Sequence, residues 1–187
     1  MNRKDIFKYS RQFIGGKSEV YSYYNSDKSK SIDIMASFET QYSAVDIYST
    51  IGLSEVNIGL ESKNKAVGVE LISIGDKGDE LNANILASVA FELMDSKDCF
   101  FGKIIPNAIS QYDTKHDCKH VILLTPAFWE KYQQYETEDK IVAWLLLVPI
   151  SNAERLFIES NGVEAFEHIL SQQKADITDR KRQSFIK

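Results

Sequence analysis

Cysteine, proline and glycine are all scarce in this chain: two, three and nine in 187 residues. Two cysteines, Cys99 and Cys118, cannot build the multi-bridge framework of a small secreted domain, and they read as reduced thiols. So few prolines and glycines leave little room for a flexible linker, and no low-complexity tract or internal repeat is present. The longest apolar run, Ile141 to Ile150, is about half of the ~20 residues a membrane span requires, and Pro149 interrupts it. The N-terminal stretch MNRKDIFKYSRQFIGG scatters charges where a signal peptide needs an apolar centre. An excess of basic residues, the footprint of direct nucleic-acid binding, is missing too: Lys and Arg number 22 against 27 Asp and Glu, for a net charge of −5. What remains is the profile of a cytoplasmic protein, one domain over residues 1–187. At 43% hydrophobic residues it has material for a core without disulfides or metal.

Hydrophobic periodicity then lays out the elements. Ile6, Tyr9 and Phe13 recur at helical spacing, and Gly15-Gly16 ends that helix. Residues 19–24 are aromatic and β-prone. From Ser31 to Glu39 apolar and polar residues alternate, which predicts a strand with one face buried and one wet. Residues 43–53 and 66–74 continue the β pattern. Gly75-Asp-Lys-Gly78 is a turn, and a helix from about Asp79 to Met94 follows, with Asp79 as its N-cap. Residues 100–105 and 120–124 read as short strands. The apolar run of residues 140–148 is too dense for a half-exposed strand and predicts a central one covered on both faces. Ser151-Asn-Ala-Glu154 is a capping box, Asn161-Gly162 stops that helix, and Val163, Phe166, Ile169 and Leu170 form the stripe of the last one. The tail from about residue 174 carries five basic and two acidic residues and reads as solvated or laid over acidic surface. The order of elements predicts an α+β fold, a mixed, largely antiparallel sheet with helices packed on its faces.

Chemistry-bearing residues are few. His116, Cys118 and His120 share one side of a strand, but along an extended chain they spread over ~13 Å, too far for one zinc with bonds of ~2.1 Å. A loop entering a strand explains them better. No Cys–His or Ser–His pair sits in a recognisable catalytic context, and Gly75-Asp-Lys-Gly78 lacks the phosphate-loop pattern. Glu70 lies mid-strand and reads as its solvent-facing side. No cofactor is implied. The segment from Phe128 to Asp139 stands apart. Phe128, Trp129, Tyr132 and Tyr135 fall on one face of a helix, followed by Glu136, Glu138 and Asp139. The plain reading is a short amphipathic helix on the core, with Tyr132 and Tyr135 its most exposed residues. The functional reading is a protein-binding surface, where aromatic anchors supply affinity and acidic groups steer a basic partner. Tyr23 and Tyr24, with Tyr21, offer a second such surface.

With these residues in place the chain resembles the suppressor-of-fused (SUFU) domain family. The likeness runs over roughly residues 15–185. It rests on Thr50-Ile-Gly-Leu-Ser54, on the strand from Val142 through Pro149-Ile-Ser151 with Asn-Ala-Glu-Arg155, on Gly162-Val-Glu-Ala-Phe166, and on Asp179-Arg180 in a final segment reading Asp-Arg-Lys-Arg. Among the family it looks most like the short bacterial members, the YqcF-type antitoxins that protect against a secreted toxin with a nuclease domain. That resemblance implies immunity, the binding and blocking of a cognate toxin, and it implies no catalytic residues. Two alternatives stay open on the residues alone. One is a general interaction or regulatory domain with a non-toxin partner. The other is an enzyme using His116, Cys118 or a buried Glu70.

Overall fold

The computed structural model describes every residue except 1, 128, 130–133 and 174–175. Its frame is a nine-stranded sheet. The strands are β1 (Lys17–Tyr24), β2 (Ser31–Phe38), β3 (Val45–Ile51), β4 (Glu61–Ser62), β5 (Lys65–Asp76), β6 (Ile104–Ile105), β7 (Cys118–Leu124), β8 (Gln134–Glu136) and β9 (Lys140–Ser151). In space they run β1-β2-β3-β5-β9-β7-β6, with β4 paired to β5 and β8 to β9. Among the described residues only β5 and β9 pair in parallel; every other pairing is antiparallel. The mixed, largely antiparallel sheet expected from the element order is the one observed.

Helices cover both faces. The helix α2 (Leu81–Ser96) packs on one side against Ile32, Ile34, Leu71, Val121, Leu123, Leu145 and Leu147. On the other side α1 (Arg3–Ile14), α3 (Asn152–Asn161) and α4 (Val163–Gln172) enclose Met35, Ile47, Ile72, Ile122, Trp144, Leu146 and Val148. Alternate residues of β5, β7 and β9 therefore enter two separate cores, so their runs are apolar throughout. The same geometry corrects the expectation for β2. Its supposed wet side includes Met35 and Ser37, both buried, because α1 lies over it.

Local signals set most boundaries. Ser151 caps α3 through the predicted box: its hydroxyl accepts from the Glu154 amide at 3.1 Å, and its own amide donates to Glu154 Oε2 at 2.8 Å. Gly162, at φ +88°, separates α3 from α4. Asn2 caps α1 through a second capping box. Three expectations need correction. The helix α2 starts two residues later than predicted, although the Asp79 carboxylate still accepts from the Leu81 amide at 3.2 Å. Only Ile104–Ile105 of residues 100–105 is strand. The helix predicted over residues 128–135 is strand at its C-terminal end, because Gln134–Glu136 pairs with residues 141–143 of β9; residues 128 and 130–133 of that expectation lie outside the described residues.

Candidate partner-binding surface

The strand β1 forms one edge of the sheet and, among the described residues, pairs only with β2. It is exposed over most of its eight residues. Val20 (48% exposed), Tyr21 (46%) and Tyr24 (60%) are among the most exposed large apolar side chains of the described residues. Side chains alternate across a strand. Glu19, Tyr21 and Tyr23 therefore share the α2 side, where the Tyr21 hydroxyl donates to Glu19 and both tyrosines feel the charge of Glu80. Tyr23 is half-buried against the α2-side core. Ser18, Val20, Ser22 and Tyr24 share the α1 side, where the Ser22 hydroxyl donates to Asp33 at 2.6 Å. Asp33 also receives Arg3, which reaches on to Glu55.

Of the segment singled out after residue 128, the strand β8 lies at the far side of the sheet from β1. From β1 through β2, β3, β5 and β9 to β8 is five strand spacings, or about 24 Å. Tyr132 lies outside the described residues. Trp129 is 7% exposed and meets Tyr42 edge-on, with ring centroids 6.1 Å apart. Tyr135 is half-buried and leans on Tyr9, which stacks on Trp144 and donates its hydroxyl to the Gln134 carbonyl at 2.7 Å. Glu136 pairs with Lys65 at 2.8 Å. Glu138 and Asp139 are exposed, and Asp139 accepts from the Thr137 hydroxyl at 3.0 Å. Tyr135 and Glu136 on β8 thus sit far across the sheet from β1, whereas Trp129 lies against Tyr42 in the connection between β2 and β3. Trp129, Tyr135 and Glu136 are engaged within the protein, whereas Val20, Tyr21 and Tyr24 face outward.

Three groups that could support catalysis have structural neighbours instead. His116 pairs with Asp113 at 2.7 Å. Cys118 is buried, and desolvation pushes its thiol up to about 12, far from the thiolate a nucleophile needs. His120 accepts the Asn107 amide at 2.8 Å, and burial lowers its pKa, favouring the neutral ring. Among the described residues no three His, Cys, Asp or Glu side chains are grouped to hold a metal. No described helix is long and apolar enough to cross a membrane.

Glu70 does not face solvent, contrary to the expectation from its strand. It is 0% exposed and caged by the Thr50–Ser54 segment. Its Oε1 accepts from the Gly52 amide (2.9 Å), the Ser54 amide (3.1 Å) and the Ser54 hydroxyl (2.7 Å). Its Oε2 accepts from the Thr50 hydroxyl (2.6 Å) and the Leu53 amide (3.3 Å). Burial raises its pKa against the lowering pull of these bonds. Gly52 at φ +105° makes the turn, and a Cβ there would meet Arg3 Nε at 2.7 Å. With every lone pair so engaged, Glu70 is a staple joining a loop to β5.

A second buried carboxylate does the same for the tail. Glu154, 0% exposed, receives Arg182 at 2.7 and 3.0 Å and the Phe185 amide at 2.8 Å. Arg180 bridges Asp113 (2.6 Å) and Asp79 (2.5 Å). The tail is thus laid over acidic groups, the second of its two expected arrangements, with both arginines buried. An open groove of about 530 Å³ lies on the α1, α3 and α4 side, lined by Tyr42, Ile74, Trp129, Leu170, Ile177 and Thr178 among others.

The comparisons with known proteins agree on one family. The family described as Suppressor of fused protein (SUFU) matches residues 28–183. The chain is 33% identical over 175 residues to the protein named Immunity protein YqcF of Bacillus subtilis strain 168, covering 92% of this chain and 91% of that one. In three dimensions it is similar to a SUFU homologue from Neisseria gonorrhoeae FA 1090, with a TM-score of 0.76 at 16% identity over 99% of this chain and 97% of that one. It is also similar to a chain of a Sufu–Fu complex, with a TM-score of 0.74 at 14% identity over 98% and 92% of the two chains. At such identities the structural likeness is one of fold.

Proposed function

The chain belongs to the suppressor-of-fused family, and from that membership we propose that it is an immunity protein. It binds a cognate secreted toxin, one carrying a nuclease domain, and blocks it in the cytoplasm of the cell it protects, by contact and without catalysis. The single observation that carries this reading is the 33% identity to a protein named as an immunity protein, over nearly the full length of both chains. The Sufu–Fu likeness speaks to fold alone and does not favour a non-toxin partner.

The surface supports the same reading. A chain of net charge −5 draws a basic nuclease into encounter. Covering an active site needs an interface of about 1,600 Å² in total. We place its centre on β1, with Tyr24 and Val20 as apolar anchors and Tyr23 on the opposite face of the strand, because Tyr24 and Val20 are exposed whereas Trp129 and Tyr135 are packed within the protein. Glu138 and Asp139, on the other side of the sheet, add long-range steering.

The test is to search the genes beside this one for a toxin with a C-terminal nuclease domain and to co-express that domain with the protein. The expected result is rescue of growth, a stoichiometric complex on gel filtration, and loss of the toxin's nucleic-acid cleavage in vitro when the protein is added. Growth arrest unrelieved by the protein would remove the immunity reading. Rescue without any cleavage activity to block would remove the nuclease.

A further inference from the structure

The two edges of this sheet are built differently. One ends in the two-residue strand β6, and β8 is only three residues long. Short strands of this kind blunt an edge. The other edge, β1, is eight residues long and contains no proline, and its register with β2 runs without a bulge from Lys17↔Phe38 to Tyr24↔Ser31. None of the usual guards against strand addition is present except the two charges Lys17 and Glu19, and Lys17 is neutralised by Glu39 at 2.7 Å.

The free hydrogen-bonding groups on this edge can be assigned. The Asn25 amide donates to the Lys30 carbonyl, and Asn25 and Lys30 continue the β1–β2 register. In an antiparallel ladder bonded and non-bonded pairs alternate. Residues 17, 19, 21 and 23 therefore bond β2, while the amides and carbonyls of Ser18, Val20, Ser22 and Tyr24 point away from the sheet.

We propose that β1 receives an extended segment of the toxin as a tenth strand of the sheet, paired through the backbone of Ser18, Val20, Ser22 and Tyr24. This rests on the immunity reading and specifies how the partner is held. The side chains define the segment. On the α2 side Glu19 and Glu80 meet it, calling for lysine or arginine at alternate positions. On the α1 side Val20 and Tyr24 meet it, calling for apolar residues between them. A second copy of this chain fits less well. A two-fold antiparallel pairing keeps like faces together, so it would bring another Glu19 and Glu80 to the side that already holds both.

The experiment joins amide hydrogen exchange to one backbone-specific substitution, on the full chain, alone and bound to the toxin domain. In the free protein the amides of Ser18, Val20, Ser22 and Tyr24 exchange rapidly; in the complex they become protected. Val20→Pro removes one outward amide without touching the β1–β2 ladder, a position where an edge strand tolerates proline. It lowers toxin affinity by about tenfold or more relative to Val20→Thr, which keeps the amide and gives up only apolar contact. Should Val20→Pro not fold, the exchange data decide alone. A bound toxin with these four amides still unprotected overturns strand addition and leaves immunity standing. Protection that grows with the concentration of the free protein assigns the edge to a second copy and also overturns it. Absence of any toxin complex removes the immunity reading, and this proposal with it.

Discussion

Arg182 holds Glu154 with both ends of its guanidinium, Nη1 at 2.7 Å from Oε1 and Nη2 at 3.0 Å from Oε2, and both side chains are buried. The same Nη2 donates to the Pro149 carbonyl at 2.6 Å, and the ring of Phe185 lies 4.1 Å from the guanidinium carbon. The end of β9, the start of α3 and the C-terminal segment thus meet at one ion pair. Removing one member strands the other charge without water, which costs about 3–5 kcal/mol. Arg182→Met and Glu154→Leu should each lower the urea midpoint strongly. The double variant should lose less than the sum, since no unpaired charge remains. Equal losses that simply add would show that the two residues act independently.

Much of the fold is legible in the sequence because the signals are local. The capping box at Ser151, the stop at Gly162 and the dense apolar run of β9 each depend on neighbours within a few residues, and all three hold. The roles of Glu70 and Glu154 depend on distant chain. Glu70 reads as the wet side of a strand because nothing near it shows that residues 50–54 will turn five donors toward it. Glu154 reads as a cap, which it is, but Arg182 lies 28 residues away. The helix expected at residues 128–135 fails at its C-terminal end for a related reason: pairing with β9 overrides helical spacing. Of the candidate surfaces, aromatic content alone could not tell Tyr24, on an open edge, from Tyr135, folded against Tyr9.

The Glu70 cage makes a prediction that separates it from a catalytic carboxylate. Glu70→Gln preserves shape but turns an amide toward donors that need an acceptor, leaving buried N–H or O–H groups unsatisfied at about 1–3 kcal/mol each. Urea unfolding should show that loss. Toxin neutralisation should persist wherever the variant remains folded, because the carboxylate faces a loop and not a partner. Full stability with abolished neutralisation would place Glu70 in the binding surface instead.

A clear pH response should come from Asp113. Burial raises its carboxyl pKa, but the hydrogen bonds from the His116 ring and the amides of Lys115 and His116 outweigh burial and hold it at about 2, against an ordinary 3.8. Arg180 binds the same oxygen as His116. A carboxylate depressed in the folded state binds fewer protons there than in the unfolded chain, so it contributes stability above its ordinary pKa. That contribution fades as pH falls from about 4 towards 2. A shift of this size is worth about 2 kcal/mol. Asp113→Asn should lose that amount at neutral pH and show a flatter acid limb between pH 4 and 2, followed by urea midpoint at each pH. Superimposable acid limbs for the two proteins would exclude Asp113 as the group responsible.

The two sides of the sheet can be told apart by which property each substitution moves. Tyr24 is exposed, so Tyr24→Ala should leave the unfolding midpoint nearly unchanged and weaken toxin binding by about tenfold or more, the behaviour of an aromatic hot spot. Glu19→Lys should act chiefly on the association rate, and its effect should shrink as salt rises. Tyr135→Ala should do the reverse of Tyr24→Ala. It removes a ring packed 4.8 Å from Tyr9, costing about 1–3 kcal/mol of stability, and it should leave affinity unchanged in the folded fraction. Calorimetric titration of each variant against the toxin domain, beside its thermal unfolding curve, gives both readings. If Tyr135→Ala weakens binding while Tyr24→Ala does not, the contact belongs at β8, and the edge at β1 loses its claim.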